Sequence, residues 1–174
     1  MICPNCNGEG IVYEYGEESP SGIIADDVCL NCGGLGVINL IYVFGSNEAG
    51  IHGKGAALTA RLEHAAILGQ GFGRQGQSFG IPTKGKINLG GTWGIGRPLP
   101  LSDINNYVGM FVEYAKQVPQ EHFKITQIGT GHAGFKHEQM APMFADSPGN
   151  CLFDEAWRPW LGNRWYWGTY VPGR

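Results

Sequence analysis

The sequence predicts an α/β domain with a largely parallel sheet, preceded by a small cysteine-rich module. Short apolar runs alternate with helix-like segments over most of the chain, which is the pattern of parallel strands joined by helices. Two glycine-rich loops follow two of these runs, at the position where such folds usually bind ligands. Near the N-terminus, four of the five cysteines form two C-x-x-C pairs. We therefore divide the chain into residues 1–36 and residues 37–174.

Composition and charge narrow the classes of function. Of the 174 residues, 43% are hydrophobic, which is enough to build a core and excludes a disordered chain. The net charge of −3 argues against a broad electrostatic contact with nucleic acid, which needs a basic face. No apolar run approaches the roughly 18 residues of a membrane span, and the first residues lack the order of a signal peptide. We expect a cytoplasmic protein with no membrane partner.

The N-terminal module carries a repeated C-x-x-C-x-G-x-G motif. Two thiolates at this spacing converge on one ion, and two such pairs complete the tetrahedral coordination of Zn²⁺. The segment between the pairs predicts two short strands, at 11–15 and 23–24, which are too small to fold without the metal. A redox-active pair of dithiols is the alternative. The predicted ligands of a structural zinc ion are Cys3, Cys6, Cys29 and Cys32.

This repeat resembles the cysteine-rich domain of DnaJ chaperones, which carries four copies where the present chain has two. The resemblance implies one zinc ion. It implies no co-chaperone role, because the chain has no stretch like a J-domain. Such zinc ribbons bind protein, bind nucleic acid or brace a fold. Residues 1–36 contain several acidic side chains and no lysine or arginine, so repulsion from phosphate makes nucleic acid the weakest of these partners.

In the larger domain, the apolar run 37–44 predicts a strand that is buried on both faces. A glycine-rich loop follows at 45–55, and the spacing of apolar residues over 56–68 predicts a helix. A second glycine-containing segment leads to a short strand at 78–81. The stretch 85–100 is rich in glycine and proline and is predicted to be irregular.

The second half of the domain repeats this order. Ser102 is the predicted N-cap of a helix that reaches about Gln117, and a strand at 123–128 leads into a second glycine-rich loop at 129–135. A short helix is predicted at 137–144. Cys151 is expected to be a packing residue. The C-terminal aromatic residues are expected to close the core, with stacking on a ligand base as the alternative. These are Trp157, Trp160, Trp165, Tyr166, Trp167 and Tyr170.

Both glycine-rich loops are predicted to leave the carboxyl end of a strand. Backbone N–H groups in such loops, together with a helix N-terminus, bind anions. Two loops that face one cleft suit a diphosphate better than a single loop does. Neither loop has the spacing of a P-loop. The alternative is that both loops are tight connections with no ligand.

Three motifs resemble those of macrodomains in order and spacing, over about residues 37–145. The first loop reads N-x-x-G-x-H-G-x-G-A-A from Asn47, a strand end reads I-P-T-K up to Lys84, and the second loop reads I-G-T-G-H-A-G-F up to Phe135. The match is closest to the branch that contains terminal ADP-ribose glycohydrolases and ADP-ribose 1″-phosphate phosphatases. It extends to uncharacterised macrodomain-like proteins of bacteriophages. The resemblance implies a three-layer α/β/α fold that binds ADP-ribose.

The resemblance also implies roles for single residues. Asn47 is expected to hydrogen-bond the distal ribose, and Gly53 and Gly55 let the backbone approach the diphosphate. Residues 129–135 wrap its other side, where Phe135 matches a position that lines the ribose pocket. The residues expected to bind the ligand are Ser46, Asn47, Gly50, His52, Gly53, Lys54, Gly55, Gly129, Thr130, Gly131, His132, Ala133, Gly134 and Phe135.

Lys84 matches the lysine that attacks the anomeric carbon in the glycohydrolases of this branch, a role that requires a partly deprotonated amine. The family pairs this lysine with an aspartate, and Ala133 stands at that position. The acids that could replace the aspartate are His132, His137 and Glu138. The alternative role of Lys84 is a phosphate contact or a place at the surface.

Lys84, His52 and Asn47 are the candidate catalytic residues. His52 is either a general base that works near neutral pH or a loop histidine bonded to backbone. We expect ADP-ribose recognition, either with hydrolysis of an ADP-ribosyl derivative or as a non-catalytic reader whose zinc ribbon contacts a protein or nucleic acid. The loops and Lys84 favour the hydrolase, and Ala133 favours the reader. A nucleic-acid-binding protein dominated by the zinc ribbon is the weakest alternative.

Overall fold

The computed structural model describes residues 11–15, 23–28 and 40–169. The chain divides into two compact units, Met1–Leu40 and Ile41–Arg174. In the first unit, β1 (Ile11–Tyr15) pairs antiparallel with β2 (Ile23–Val28), and Ile11 lies opposite Val28. The two strands predicted there are present, and the second is longer than expected. The predicted domain boundary and the cysteines of the C-x-x-C pairs lie outside the described residues.

The second unit is built on a mixed, mostly parallel sheet of seven strands, which confirms the predicted α/β class. The strand order is β4-β5-β3-β7-β8-β9, and β6 pairs with the second half of β5. The pairs β3–β5, β7–β8 and β8–β9 are parallel, whereas β4–β5 and β5–β6 are antiparallel. The strands are β3 (Leu40–Asn47), β4 (Gly73–Gln75), β5 (Ser78–Asn88), β6 (Trp93–Pro98), β7 (His122–Ile125), β8 (Cys151–Asp154) and β9 (Trp165–Gly168).

Four α-helices connect these strands within residues 40–169: α1 (Gly55–Glu63), α2 (Leu101–Gln117), α3 (His137–Met140) and α4 (Arg158–Leu161). The predicted apolar stripe of α2 is confirmed, because Ile104, Val108, Phe111, Val112 and Ala115 are all buried. The prediction that Ser102 caps this helix is wrong. Its N-cap is Pro100, whose carbonyl accepts from the N–H groups of Asp103 and Ile104.

Aromatic side chains fill the core between α2 and the sheet. Phe111 stands edge-on to Phe79 and to Phe123, and Phe144 packs against Trp157. Each aromatic pair of this kind stabilises the fold beyond the contribution of apolar burial alone. The expectation that the C-terminal aromatics close the core is confirmed for the fully buried Trp157. Trp160 is 40% exposed, Trp165, Tyr166 and Trp167 are half-buried, and Tyr170 lies outside the described residues.

Cys151 begins β8 and is buried, as expected of a packing residue. Burial raises the pKa of its thiol to about 12, because a thiolate loses its hydration in the core. At neutral pH this cysteine is therefore a neutral apolar side chain. Within residues 40–169, no helix has the length and apolar character to cross a membrane.

The segment 85–100 differs from its prediction as an irregular stretch. There β5 continues to Asn88 and pairs with β6 to form a hairpin. Glycine and proline are frequent in this stretch, and because both are uncommon inside strands, the sequence does not predict the two strands. Predicted element ends also shift: α1 ends at Glu63 rather than at 68, β7 ends at Ile125 rather than at 128, and the last turn of the 137–144 helix is 3₁₀. The strands β4, β8 and β9 were not predicted.

Candidate functional site

A cavity of about 900 Å³ opens at the end of β3 and beside the middle of β5, next to the two glycine-rich loops. These two strands are parallel, and Asn47 at the end of β3 lies opposite Lys84. The carboxyl ends of parallel strands are where α/β folds place their ligand sites. A volume of this size accommodates a nucleotide-sized ligand.

The cavity brings most of the predicted ligand-binding residues together. From the first loop it is lined by Ser46, Asn47, Gly53, Lys54 and Gly55. From the second loop it is lined by Gly129, Thr130, Gly131, His132 and Ala133, and Lys84 lies on the same wall. The predicted residues that do not line it are Gly50, His52, Gly134 and Phe135.

The first loop is closed by the side chain of Asn47, which is 5% exposed. Its Nδ2 donates to the carbonyl of Ile51 at 2.7 Å, and its Oδ1 accepts from the N–H of Ile51 at 3.1 Å. The amide therefore holds both backbone groups of one residue across the loop. Each end of the amide retains one further hydrogen-bonding position, so the predicted contact with a ribose stays a prediction.

His52 lies behind this loop rather than in the cavity. Its ring is fully buried and stands edge-on to Phe44, with 5.1 Å between the ring centroids. Its Nε2 lies 3.1 Å from the carbonyl oxygen of Gln70, so Nε2 carries the proton, and Nδ1 has no partner among the described residues. Burial lowers the pKa of this imidazole. His52 thus has the environment of a neutral loop histidine bonded to backbone, the alternative to a general base.

Glycine lets the first loop lie against the segment 69–71. Gly50 has φ +66°, and a Cβ there would lie 2.3 Å from the carbonyl carbon of Gly69. A Cβ on Gly71 would lie 2.1 Å from the carbonyl oxygen of Asn47. The N–H of Gly69 donates to the carbonyl of Gly50 at 2.9 Å. Gly50 and Gly71 are therefore packing glycines, although Gly50 belongs to the motif that suggested a ligand role.

The second loop is more open. It is formed by two turns, in which Gly134 N–H donates to Gly131 at 2.9 Å and Phe135 N–H donates to Gly129 at 3.0 Å. Gly131, His132 and Gly134 are exposed, and a Cβ on either of these two glycines would meet nothing within 4 Å. This loop therefore has free space beside Gly131 and Gly134.

Backbone N–H groups from both loops are available at the cavity. Among the described residues, the N–H groups of six cavity-lining positions donate no hydrogen bond to backbone or side chain. Backbone N–H groups without a partner in the protein bind water or, where one is present, an anion. The N-terminus of α1 lies in the same wall, because the helix begins at Gly55, and its dipole favours negative charge. The six positions are Gly53, Lys54, Gly55, Gly131, His132 and Ala133.

The ionisable side chains on the described cavity wall are lysines and histidines, with no aspartate or glutamate. They are Lys54, Lys84, His132 and His137. Lys84 is half-buried and takes part in no ion pair within residues 40–169. Of the three acids considered as substitutes at Ala133, His132 and His137 line the cavity and Glu138 does not. The cavity is therefore suited to an anionic ligand.

The cavity wall also contains residues that the sequence analysis did not assign to the site. Thr83 and Thr126 bond the carbonyls of Ser46 and Val43, which ties neighbouring strand ends together. Gln127 donates to the buried carboxylate of Asp154 at 3.1 Å. Ile95 and Gly96 reach the cavity from β6, in the hairpin predicted to be irregular. The sequence could have indicated Thr83, Thr126 and Gln127, because they lie near the ends of the strands predicted at 78–81 and 123–128.

Comparisons with protein-family profiles, with curated proteins and with solved structures give no match to this chain. Within the described residues, no group of three or more histidine, cysteine, aspartate or glutamate side chains is placed to hold a metal ion. The function therefore rests on the chemistry of the cavity, since a fold class alone does not define an activity.

Proposed function

We propose that the larger unit binds ADP-ribose, or the ADP-ribosyl group of a modified macromolecule, in the cavity between the two glycine-rich loops. One observation carries this proposal: six unpaired N–H groups, two lysines and two histidines line a cavity with no carboxylate on its described wall. A diphosphate needs many donors and positive charge. The resemblance of both loops to those of macrodomains supports a diphosphate that carries adenosine and ribose.

Recognition without catalysis is the form of this function that the cavity wall favours. A lysine that attacks an anomeric carbon needs a partner that takes or supplies protons, and the family uses a carboxylate for this purpose. Ala133 lines the cavity at the matching position, and its methyl group transfers no proton. The second candidate, hydrolysis, is favoured by the placement of Lys84 on the cavity wall with no carboxylate paired to it in the described part of the chain.

Calorimetric titration with ADP-ribose tests the proposal, and one strand supplies a matched pair of variants. Lys84→Met removes a cation from the cavity. Lys86→Met removes the exposed lysine two positions further along β5, whose ammonium lies 4.6 Å from the ring centroid of Trp93. We expect a single site in the wild type, an affinity about tenfold weaker in Lys84→Met, and no change in Lys86→Met.

Two results would overturn or redirect the proposal. The absence of heat and of thermal shift at millimolar ADP-ribose would show that the cavity takes a different ligand. Release of ADP-ribose from a modified protein by the wild type, and not by Lys84→Met, would establish the hydrolase in place of the reader.

For the N-terminal unit we propose one structural Zn²⁺ held by Cys3, Cys6, Cys29 and Cys32, in a ribbon that contacts a protein or nucleic-acid partner. The antiparallel register supports this, because Ile11 at the start of β1 lies opposite Val28 at the end of β2. Cys6 precedes β1 by five residues and Cys29 follows β2 directly. We expect one zinc per chain by elemental analysis and none after Cys3→Ser with Cys29→Ser.

A further inference from the structure

His137 is the one ionisable residue of the described cavity wall that is bonded to a fully buried side chain. The indole Nε1 of Trp157 lies 3.1 Å from its Nδ1, and Trp157 is 0% exposed. Trp157 packs between the rings of Phe144 and Phe153, so it cannot turn away without disturbing the core. The backbone of His137 is also held, since the preceding N–H of Lys136 donates to the side chain of Gln139 at 2.9 Å.

This contact determines which nitrogen of the imidazole carries the proton. An indole N–H donates and never accepts, so Nδ1 must be the unprotonated nitrogen. The neutral ring then carries its proton on Nε2. Because Nδ1 is turned to Trp157, Nε2 is the nitrogen available to a ligand in the cavity that His137 lines. The ring of Trp160 lies nearly parallel to the imidazole, at an interplanar angle of 13° and a centroid distance of 6.1 Å.

We propose that His137 is a ligand-binding residue held by Trp157 as a neutral Nε2–H donor to an oxygen of the nucleotide in the cavity. The proposal rests on ADP-ribose binding at this site and names one of its donors. It also assigns His137 a role other than that of a proton acceptor in place of the aspartate missing at Ala133. An imidazole that already donates from Nε2, with Nδ1 occupied, has no basic nitrogen to offer the ligand.

Two substitutions of His137 separate the roles of its two ring nitrogens, Nδ1 and Nε2. In His137→Asn, the amide oxygen takes the place of Nδ1 as the acceptor for Trp157, and the cavity donor is lost. In His137→Gln, the amide nitrogen lies near the position of Nε2, and the acceptor for Trp157 is lost. We expect ADP-ribose affinity to fall about fivefold in His137→Asn with little change in melting temperature. In His137→Gln we expect affinity within twofold of wild type and a melting temperature lowered by several degrees.

Nitrogen-15 chemical shifts of the imidazole, recorded for the wild-type chain at pH 8, test the tautomer without any ligand. We expect a protonated Nε2 and an unprotonated Nδ1, and addition of ADP-ribose should shift the Nε2 resonance. Trp157→Phe removes the indole donor, and we expect it to give a mixture of the two neutral forms.

The measurements distinguish a failure of the proposed role of His137 from a failure of the proposed ADP-ribose binding. A wild-type Nδ1–H tautomer, or an affinity in His137→Asn equal to wild type, would overturn the role of His137 while ADP-ribose binding stands. No binding of ADP-ribose by the wild type would overturn the proposed function and the ligand role of His137 together, although the tautomer would still be measured.

Discussion

The two loops of the cavity look alike in sequence but differ in how the fold holds them. In the first loop, Asn47 clasps Ile51 and a backbone hydrogen bond ties Gly50 to Gly69. In the second loop, Gly131 and Gly134 face open space and the hydrogen bonds are confined to local turns. Glycines of similar motifs therefore differ in role: Gly50 permits close packing, whereas Gly131 and Gly134 border open space. Substitutions in the two loops should separate stability from binding.

The largest difference is expected between Gly50→Ala and Gly134→Ala. Both glycines have positive φ, +66° and +78°, so alanine costs about 1 kcal/mol of backbone strain at either position. At Gly50 the new Cβ would also lie 2.3 Å from backbone of the segment 69–71. We expect Gly50→Ala to lower the free energy of unfolding by more than about 3 kcal/mol, and Gly134→Ala by about 1 kcal/mol, in urea titrations. Equal losses would contradict the assignment of Gly50 to packing.

The clasp of the first loop should come next in size. Asn47→Ala leaves the N–H and carbonyl of Ile51 without their partner, and we expect a loss of about 2 kcal/mol in the free energy of unfolding. The matched change in the second loop is Thr130→Val, which removes a 2.9 Å bond from Oγ1 to the carbonyl of Gln127 at a half-buried position. We expect about 0.5 kcal/mol there, because the carbonyl of Gln127 still accepts from the N–H of Thr130. A smaller loss in Asn47→Ala than in Thr130→Val would show that the clasp is not what orders the first loop.

The buried histidine behind the first loop should make stability depend on pH. Burial lowers the pKa of His52 in the folded state. Below about pH 6.5 the unfolded chain therefore binds more protons than the folded chain, and the free energy of unfolding falls as the pH decreases. One such group contributes a slope of at most about 1.4 kcal/mol per pH unit. His64 and His122 have pKa values lowered by burial as well and add to the slope.

The variant His52→Gln isolates the share of His52, because glutamine can still donate to the carbonyl of Gln70 and does not titrate. We expect a shallower fall in stability between pH 7 and pH 5 than in the wild type, measured by urea unfolding at each pH. Parallel curves for the two proteins would mean that His52 is protonated in the folded state or plays no part in the acid sensitivity.

The smallest effect on stability is expected at Gly131 in the second loop. A Cβ there meets nothing within 4 Å, so Gly131→Ala should change the free energy of unfolding by less than about 0.5 kcal/mol. Because Gly131 lines the cavity, the same methyl group should interfere with a diphosphate that approaches the backbone, and ADP-ribose affinity should fall severalfold. Unchanged affinity would place the diphosphate elsewhere in the cavity.

The periodicity of the sequence predicted the elements that carry a strong apolar signal. The stripe of α2 is buried as expected, and the apolar run before the first loop is β3. Both loops were located along the chain, because glycine clusters mark strand-to-helix junctions. The strand expected to end before Lys84 instead continues as β5 to Asn88. The hairpin of β5 and β6 was missed, because glycine and proline interrupt its alternation and its apolar residues Ile87, Trp93 and Ile95 are exposed.

By itself, the sequence determined the α/β class and the order of the two loops, because local periodicity and glycine content report on local backbone. Only the tertiary structure decided which motif residues reach the cavity. A hydrogen bond to Gln70 turns the ring of His52 into the protein. A hydrogen bond to Trp157, twenty residues later in the chain, directs Nδ1 of His137 towards the core. Those bonds join residues distant in sequence, and no local pattern encodes the direction in which a side chain points.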